Sequence, residues 1–240
     1  EPLAAIVLLA AGIWALRAGG YSPAARWFLL LPPAAILLAH TLFADDLGIR
    51  YVLPAMPFTC LMGGIGAAWL IARAAWWGRV AAALLAVWLA VGAAAVYPDQ
   101  LSYFNEAACL PGHASWISPG GGTRCGPLWL DDSNIDWGQG LVQLRQWVDA
   151  HAPGRPVRLA YFGSFPPANY LPGVQSVSID DLLKPPAPGL YAVSAHFVAR
   201  LPAIAAMTGE GGADWPSRTP PVAIVGQSYY VYDIPAAGPR

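Results

Sequence analysis

VAAALLAVWLAVGAAAVY, residues Val80–Tyr97, contains no Asp, Glu, Lys or Arg. Neither does Trp27–Ala44 (WFLLLPPAAILLAHTLFA) nor Tyr51–Ala72 (YVLPAMPFTCLMGGIGAAWLIA), and Pro2–Leu16 is a fourth, shorter apolar run. An α-helix rises about 1.5 Å per residue, so about 20 residues cross the roughly 30 Å hydrocarbon core of a bilayer. The three complete runs are long enough to do so. From Pro98 onward the chain becomes turn-rich and polar, and no run of that length recurs. These patterns predict a membrane α-helical bundle of about four transmembrane helices over residues 1–97. A small outward-facing α/β domain occupies residues 98–240.

Composition agrees. The 240 residues are 56% hydrophobic and 11% charged, against about 25% charged in a soluble globular chain. A formal net charge of -1 offers no polycation for nucleic acid, so that class of partner is set aside. The bilayer is the first partner implied. Glu1 stands directly before an apolar run with no initiator Met, which leads us to expect a longer protein.

Arginine placement orients the bundle. Arg17 and Arg26 flank the first short loop and Arg73 and Arg79 the third, whereas the second, Asp45–Arg50, holds two Asp and one Arg. Short cytoplasmic loops collect Lys and Arg. The first and third loops are therefore expected inside, and the second loop and everything after Pro98 outside. Trp27, Trp76, Trp77 and Tyr97 lie at run ends, where amphipathic rings favour the interface.

Three cysteines fit this arrangement. Cys60 falls within an apolar run, as a small packing residue would. Cys109 and Cys125 bracket CLPGHASWISPGGGTRC in the outward part. An oxidising compartment would join them in a disulfide. Free thiols and a zinc site recruiting His113 are the alternatives, the last weakened by the lack of CxxC spacing. We read GGGTRCG as a flexible connection, since it has neither the lysine nor the following helix of a phosphate loop.

In the outward part, Leu128–Leu130 reads as a short strand. Leu141, Leu144, Trp147 and Val148 give Gly138–His151 a helical period. Asp136 and Gln139 have capping-box spacing at its start, and His151 lies where it can meet the last carbonyls. Val157–Phe162 reads as a strand, so strand, helix and strand make a βαβ unit with a parallel pair. Further strands are expected at Leu190–Ala195 and Ser228–Ile234, with a helix around His196–Met207.

The densest polar cluster is DSNIDWGQ, Asp132–Gln139. It is placed where a strand end meets a helix start, the crevice that binds ligands in open α/β sheets. Asp132, Asn134, Trp137 and Gln139 are the candidate acceptor- or ligand-binding residues. The bland alternative is a structural turn, because Asp, Ser and Asn suit helix starts. A calcium loop matches at Asp132, Asn134 and Asp136, then fails at Trp137 and Gln143. Arg50, in a short outward loop before a span, can hold a phosphate through two parallel hydrogen bonds. It can equally be an interfacial anchor or a partner of Asp45 or Asp46. His40, near the outer end of the second run, is an ionisable group in an apolar helix and a functional suspect for that reason.

Several segments together resemble bacterial GT-C membrane glycosyltransferases of the protein-mannosyltransferase-like group, glycosyltransferase family 39. They are Ile49-Arg50-Tyr51-Val52-Leu53-Pro54 with Pro57-Phe58, Leu101-Ser102-Tyr103-Phe104-Asn105-Glu106, and Asp132–Gln139. Tyr161-Phe162-Gly163 and Pro221–Tyr232 complete the set. The resemblance implies the C-terminal portion of an integral membrane enzyme of the bacterial inner membrane. Such an enzyme passes a sugar from a polyprenyl-phosphate carrier to a glycan, lipid or protein acceptor on the periplasmic face. For such an enzyme, Arg50, Tyr51 and His40 are the candidate residues for binding the lipid phosphate of the donor. The catalytic carboxylate of the group lies in an early outward loop with no counterpart here, so no catalytic residue is assigned. No cofactor is required from this portion, no metal ligand is assigned, and a divalent metal stays open. The Cys109–Cys125 segment departs from the family pattern. Two other readings stand beside this one: a non-catalytic membrane-anchored binding or scaffold module, and a transporter fragment.

Overall fold

The computed structural model describes residues 2–43, 51–73, 76–110, 112–130, 135–209 and 214–236. The Asp45–Arg50 loop, with Arg50, and the start of the polar cluster, with Asp132 and Asn134, lie outside the described residues. The chain divides into two compact units, one made of residues 1–95 with 105–107 and 119–121, the other of the remainder.

The first unit is helical. Helix α1 is Pro2–Ala18, α2 Pro23–Phe43, α3 Met56–Arg73 and α4 Trp76–Val96. Pro23 opens α2, where its missing N–H leaves nothing unsatisfied, and Ser22 Oγ accepts from Ala25 N at 3.2 Å. Pro32 and Pro33 sit inside α2, which continues through them. Among the described residues, three helical segments are long and apolar enough to cross a membrane: Pro23–Phe43, Leu53–Ala72 and Trp76–Val96. Only 11%, 17% and 11% of their spanning windows are buried, so most of this apolar surface faces outward, as lipid contact requires. α1 is apolar but shorter, with 17 residues, so three of the expected four or so helices reach full spanning length among the described residues. Its close partner is α3. A Cβ on Gly12 would overlap the Met62 carbonyl, and one on Gly66 the Leu8 carbonyl. Glycine allows these backbones to touch, the usual way helices pack without a hydrophobic drive between them. Leu16, Leu29 and Met62 form the small buried core. Cys60 is exposed on α3 rather than packed between helices.

The second unit is a mixed five-stranded sheet in the order β2-β1-β3-β5-β4. The strands are β1 Val157–Ala160, β2 Gln175–Ser176, β3 Gly189–Ser194, β4 Ala223–Val225 and β5 Tyr229–Ile234. β1 runs parallel to β2 and β3, and β5 antiparallel to β3 and β4. Helices cover both faces: α5 (Leu141–His151) on one, α6 (Ile179–Leu182), α7 (Ala195–Met207) and α8 (Trp215–Arg218) on the other. Alternation along central β3 builds both cores at once. Leu190 and Ala192 pack toward Leu144 and Val148 of α5, and Tyr191 and Val193 toward Leu201 and Trp215.

Two expectations change. Leu128–Leu130 is not a strand: Thr123–Leu128 forms a 3-10 helix and Trp129 closes it. The parallel pair is instead β1 and β3, linked through β2 and α6. The helix read from Gly138 begins at Leu141, and its N-cap is Gly140 rather than Asp136. His151 does meet a carbonyl near its helix end: its Nδ1 lies 2.9 Å from Trp147 O.

Candidate functional site

The carboxyl ends of β1 and β3 converge on one buried polar cluster. Ser194 closes β3 and caps α7, its Oγ accepting from His196 N at 3.2 Å. The same hydroxyl donates a short hydrogen bond to Asp136 Oδ2. Asp136 Oδ1 accepts from Gly138 N at 2.8 Å, so the carboxylate closes a local turn instead of capping α5. Gly138 makes the turn feasible, with φ at +83° and its Cα against the Tyr161 ring, where a Cβ would overlap the hydroxyl.

Gln139 ties the neighbouring segments together. Its Oε1 accepts from Trp137 N at 2.6 Å. Its Nε2 donates toward Ser228 Oγ at 2.9 Å, and toward Ile135 O and Ser102 Oγ, both at 3.2 Å. Ser102 Oγ in turn donates to Ile135 O at 2.6 Å. Ser228 belongs to the β4–β5 turn, where Gly226 and Gln227 both have positive φ and Ser228 N donates to Val225 O. Its carbonyl accepts from Ala195 N at 2.7 Å. Ser102, Asp136, Ser194 and Ser228 are all fully buried.

Burial pushes the Asp136 carboxyl up to about 6, against the hydrogen bonds from Ser194 and the Gly138 and Trp137 backbone. The Tyr229 hydroxyl is buried without a hydrogen-bond partner among the described residues, and burial first, then the Asp136 charge, raises it strongly. Tyr161 is raised in the same way. A carboxyl and serine hydroxyls buried in this way hold chain segments together.

The outward-facing groups are aromatic. Trp137 is 44% exposed and meets Phe162 edge-on at 5.3 Å. Phe162 stacks on His196 at 3.9 Å. Among the candidate ligand residues, the structure therefore places Trp137 at the surface and ties the Gln139 amide into the fold. In the helical unit, His40 and Tyr51 come together as a stacked pair at 5.2 Å. Among the described residues no group of three potential metal ligands occurs.

The Cys109–Cys125 pair is a disulfide, with Cα atoms 5.3 Å apart, and it takes the thiols a zinc site would need. The loop read as a flexible connection is built rather than loose. Gly122 N donates to Phe104 O at 2.9 Å, Thr123 is buried, and a Cβ on Gly126 would overlap the Phe104 ring. Ser194, Ser228 and His196 were not marked in the sequence as site residues. A serine directly before an apolar helix is the one signal that could have marked Ser194, and it would mark it as a cap.

Comparison with protein families, with curated proteins and with solved structures gives no match for this chain.

Proposed function

We propose that this chain is the C-terminal part of an integral membrane glycosyltransferase that transfers a sugar from a polyprenyl-phosphate carrier to an acceptor on the outer face of a bacterial inner membrane. One observation carries the reading beyond the motif resemblance. Segments that resemble the family separately meet although they are far apart in sequence: those holding Ser102, Asp136 to Gln139 and Ser228 share a hydrogen-bond network, and Phe162 packs on Trp137 at its outer edge. Residues that define a family's domain are expected to make such joint contacts, whereas scattered chance matches are not. The exposed apolar flanks of three helices support the membrane assignment.

In this reading the sheet unit is outward-facing, α1 packs within the membrane bundle, and the acceptor meets the sheet unit on its aromatic rim. Arg50 is the donor-phosphate ligand, next in sequence to Tyr51 of the His40–Tyr51 pair. Departure of a lipid phosphate develops negative charge, which a fixed guanidinium stabilises. The full-length protein, assayed in detergent for transfer from a polyprenyl-phosphate sugar, should lose most turnover on Arg50→Ala. Arg50→Lys should recover only part of it, because an ammonium lacks the planar fork. Unchanged turnover in Arg50→Ala removes Arg50 from the donor site, and no transfer from any polyprenyl-phosphate sugar refutes the function.

A further inference from the structure

The sheet unit contains an open cavity of about 690 Å³, away from the Asp136 cluster in its lining. Its walls are mostly apolar, from α7, β4, β5 and several prolines. Two guanidinium groups line it, Arg124 and Arg218. So do three aromatic rings, Trp116, Tyr230 and Tyr232, the last itself buried. That volume lies within the roughly 300–1,000 Å³ of small-molecule sites, which combine an apolar lining with a few placed polar groups.

The two arginines differ from others in the same unit. Arg145 and Arg155 each hold an aspartate, Asp149 at 2.6 Å and Asp233 at 2.7 Å. Arg158 donates to the carbonyls of Ala187 and Pro188 and to Tyr191. Neither Arg124 nor Arg218 forms an ion pair among the described residues, and both are exposed. Arg124 is also positioned. Its guanidinium lies over the Trp116 ring, 5.6 Å from the centroid, and its charge acts on the Tyr230 phenol, opposing the larger effect of burial there. Stacking on a ring removes much of the freedom an exposed arginine would lose on binding.

Trp116 and Arg124 both belong to the loop closed by Cys109 and Cys125. This is the segment that departs from the family pattern, and it supplies one wall of the cavity. A cleft with two unneutralised guanidiniums calls for an anion. A cleft that adds aromatic faces and an apolar wall calls for an anion on a flat, partly apolar body. A sugar ring has that form: its C–H faces pack on aromatic rings, and a phosphate or carboxylate on it pairs with guanidinium.

We propose that this cavity is a binding site for a sugar bearing a phosphate or carboxylate, held between Arg124, Arg218 and the Trp116 and Tyr230 rings. The site is defined by binding and does not depend on the transferase reading.

The test is calorimetric titration of the full chain in detergent with glucose 1-phosphate, glucuronate, glucose and inorganic phosphate. Glucose 1-phosphate should bind at least tenfold more tightly than glucose or phosphate alone, since each lacks half of the recognised features. Arg124→Gln and Arg218→Gln should each weaken it about tenfold or more, as expected for loss of a charge-assisted hydrogen bond. Arg155→Gln, outside the cavity lining, should leave it unchanged. Cys109→Ser with Cys125→Ser should weaken binding while the far-ultraviolet spectrum of the unit persists, because the loop carrying Trp116 and Arg124 is released. Competition by micellar undecaprenyl-phosphoglucose would identify a lipid-borne sugar phosphate as the occupant, and binding of the free sugar phosphate alone a soluble one. Equal affinity for glucose and glucose 1-phosphate overturns the proposal. So does binding that survives both arginine substitutions, or no binding of either anionic sugar at about 10 mM.

Discussion

Asp136 combines complete burial with a carboxyl raised from 3.8 to about 6. Between those two values the folded chain holds a proton that the unfolded chain has released. The stabilisation is therefore complete below about pH 4 and is lost as the pH rises through about 6. A shift of about two units corresponds to roughly 3 kcal/mol. Melting of the sheet unit, monitored by circular dichroism from about pH 4.5 to about 7.5, should show this decline. Asp136→Asn stays neutral and should flatten it; an equally steep decline in the variant would place its origin elsewhere. The neighbouring Gly138 makes a second, independent test. Alanine there meets an unfavourable positive φ and overlaps Tyr161, so Gly138→Ala should lower stability by about 2 kcal/mol or more. Wild-type stability in a denaturant titration would contradict that packing. Neither role was legible in the sequence. DWGQ carries the spacing of a capping box, and local spacing identifies Asp136 as a cap; its partner Ser194 lies 58 residues away, and only the sheet brings the two together.

Elements were legible where one physical signal dominated. The long charge-free runs became α2, α3 and α4, because hydrophobic length alone specifies a spanning helix. β1, β3, β5 and α7 appear within a few residues of their expected bounds, since β-branched and aromatic clusters flanked by Gly and Pro leave few alternatives. Leu128–Leu130 misled because three apolar residues carry no period. There a non-local constraint, the Cys109–Cys125 bond with Phe104 packed on Gly126, selects a 3-10 turn. The cavity wall containing Trp116 and Arg124 was hidden for the same reason, as a Gly-rich stretch reads as slack until its closure is known. The disulfide should accordingly be a large local contributor. Closing a loop of about 15 residues is worth about 3 kcal/mol in the chain-entropy picture. Removing both cysteines should lower the melting temperature of the sheet unit by several degrees. Non-reducing peptide mapping should recover the Cys109–Cys125 linkage; two freely alkylated thiols in the native protein would refute it.

At the scale of the whole molecule, the helical unit and the sheet unit require different solvents. The helices expose Trp27, Phe28, Leu38, Leu84 and other large apolar side chains, which only lipid or a partner would cover. The sheet unit buries its apolar side chains on both faces and carries a disulfide, a bond that persists in oxidising compartments outside the cytoplasm. Arginine bias points the same way: Arg17, Arg26, Arg73 and Arg79 flank loops that the positive-inside rule would keep in the cytoplasm under the proposed topology. An odd number of spans separates either loop from the sheet unit beyond the last helix, so residue 75 and residue 150 are predicted to lie on opposite sides. Alkaline phosphatase fused after residue 150 of the full-length protein should be active and after residue 75 inactive, with a fluorescent protein that folds only in the cytoplasm giving the reverse. Both fusions reporting the same side would break the link between the disulfide, the arginine bias and an outward sheet unit. The proposed outer-face transfer reaction would fall with it, because its acceptor rim would then face the wrong compartment.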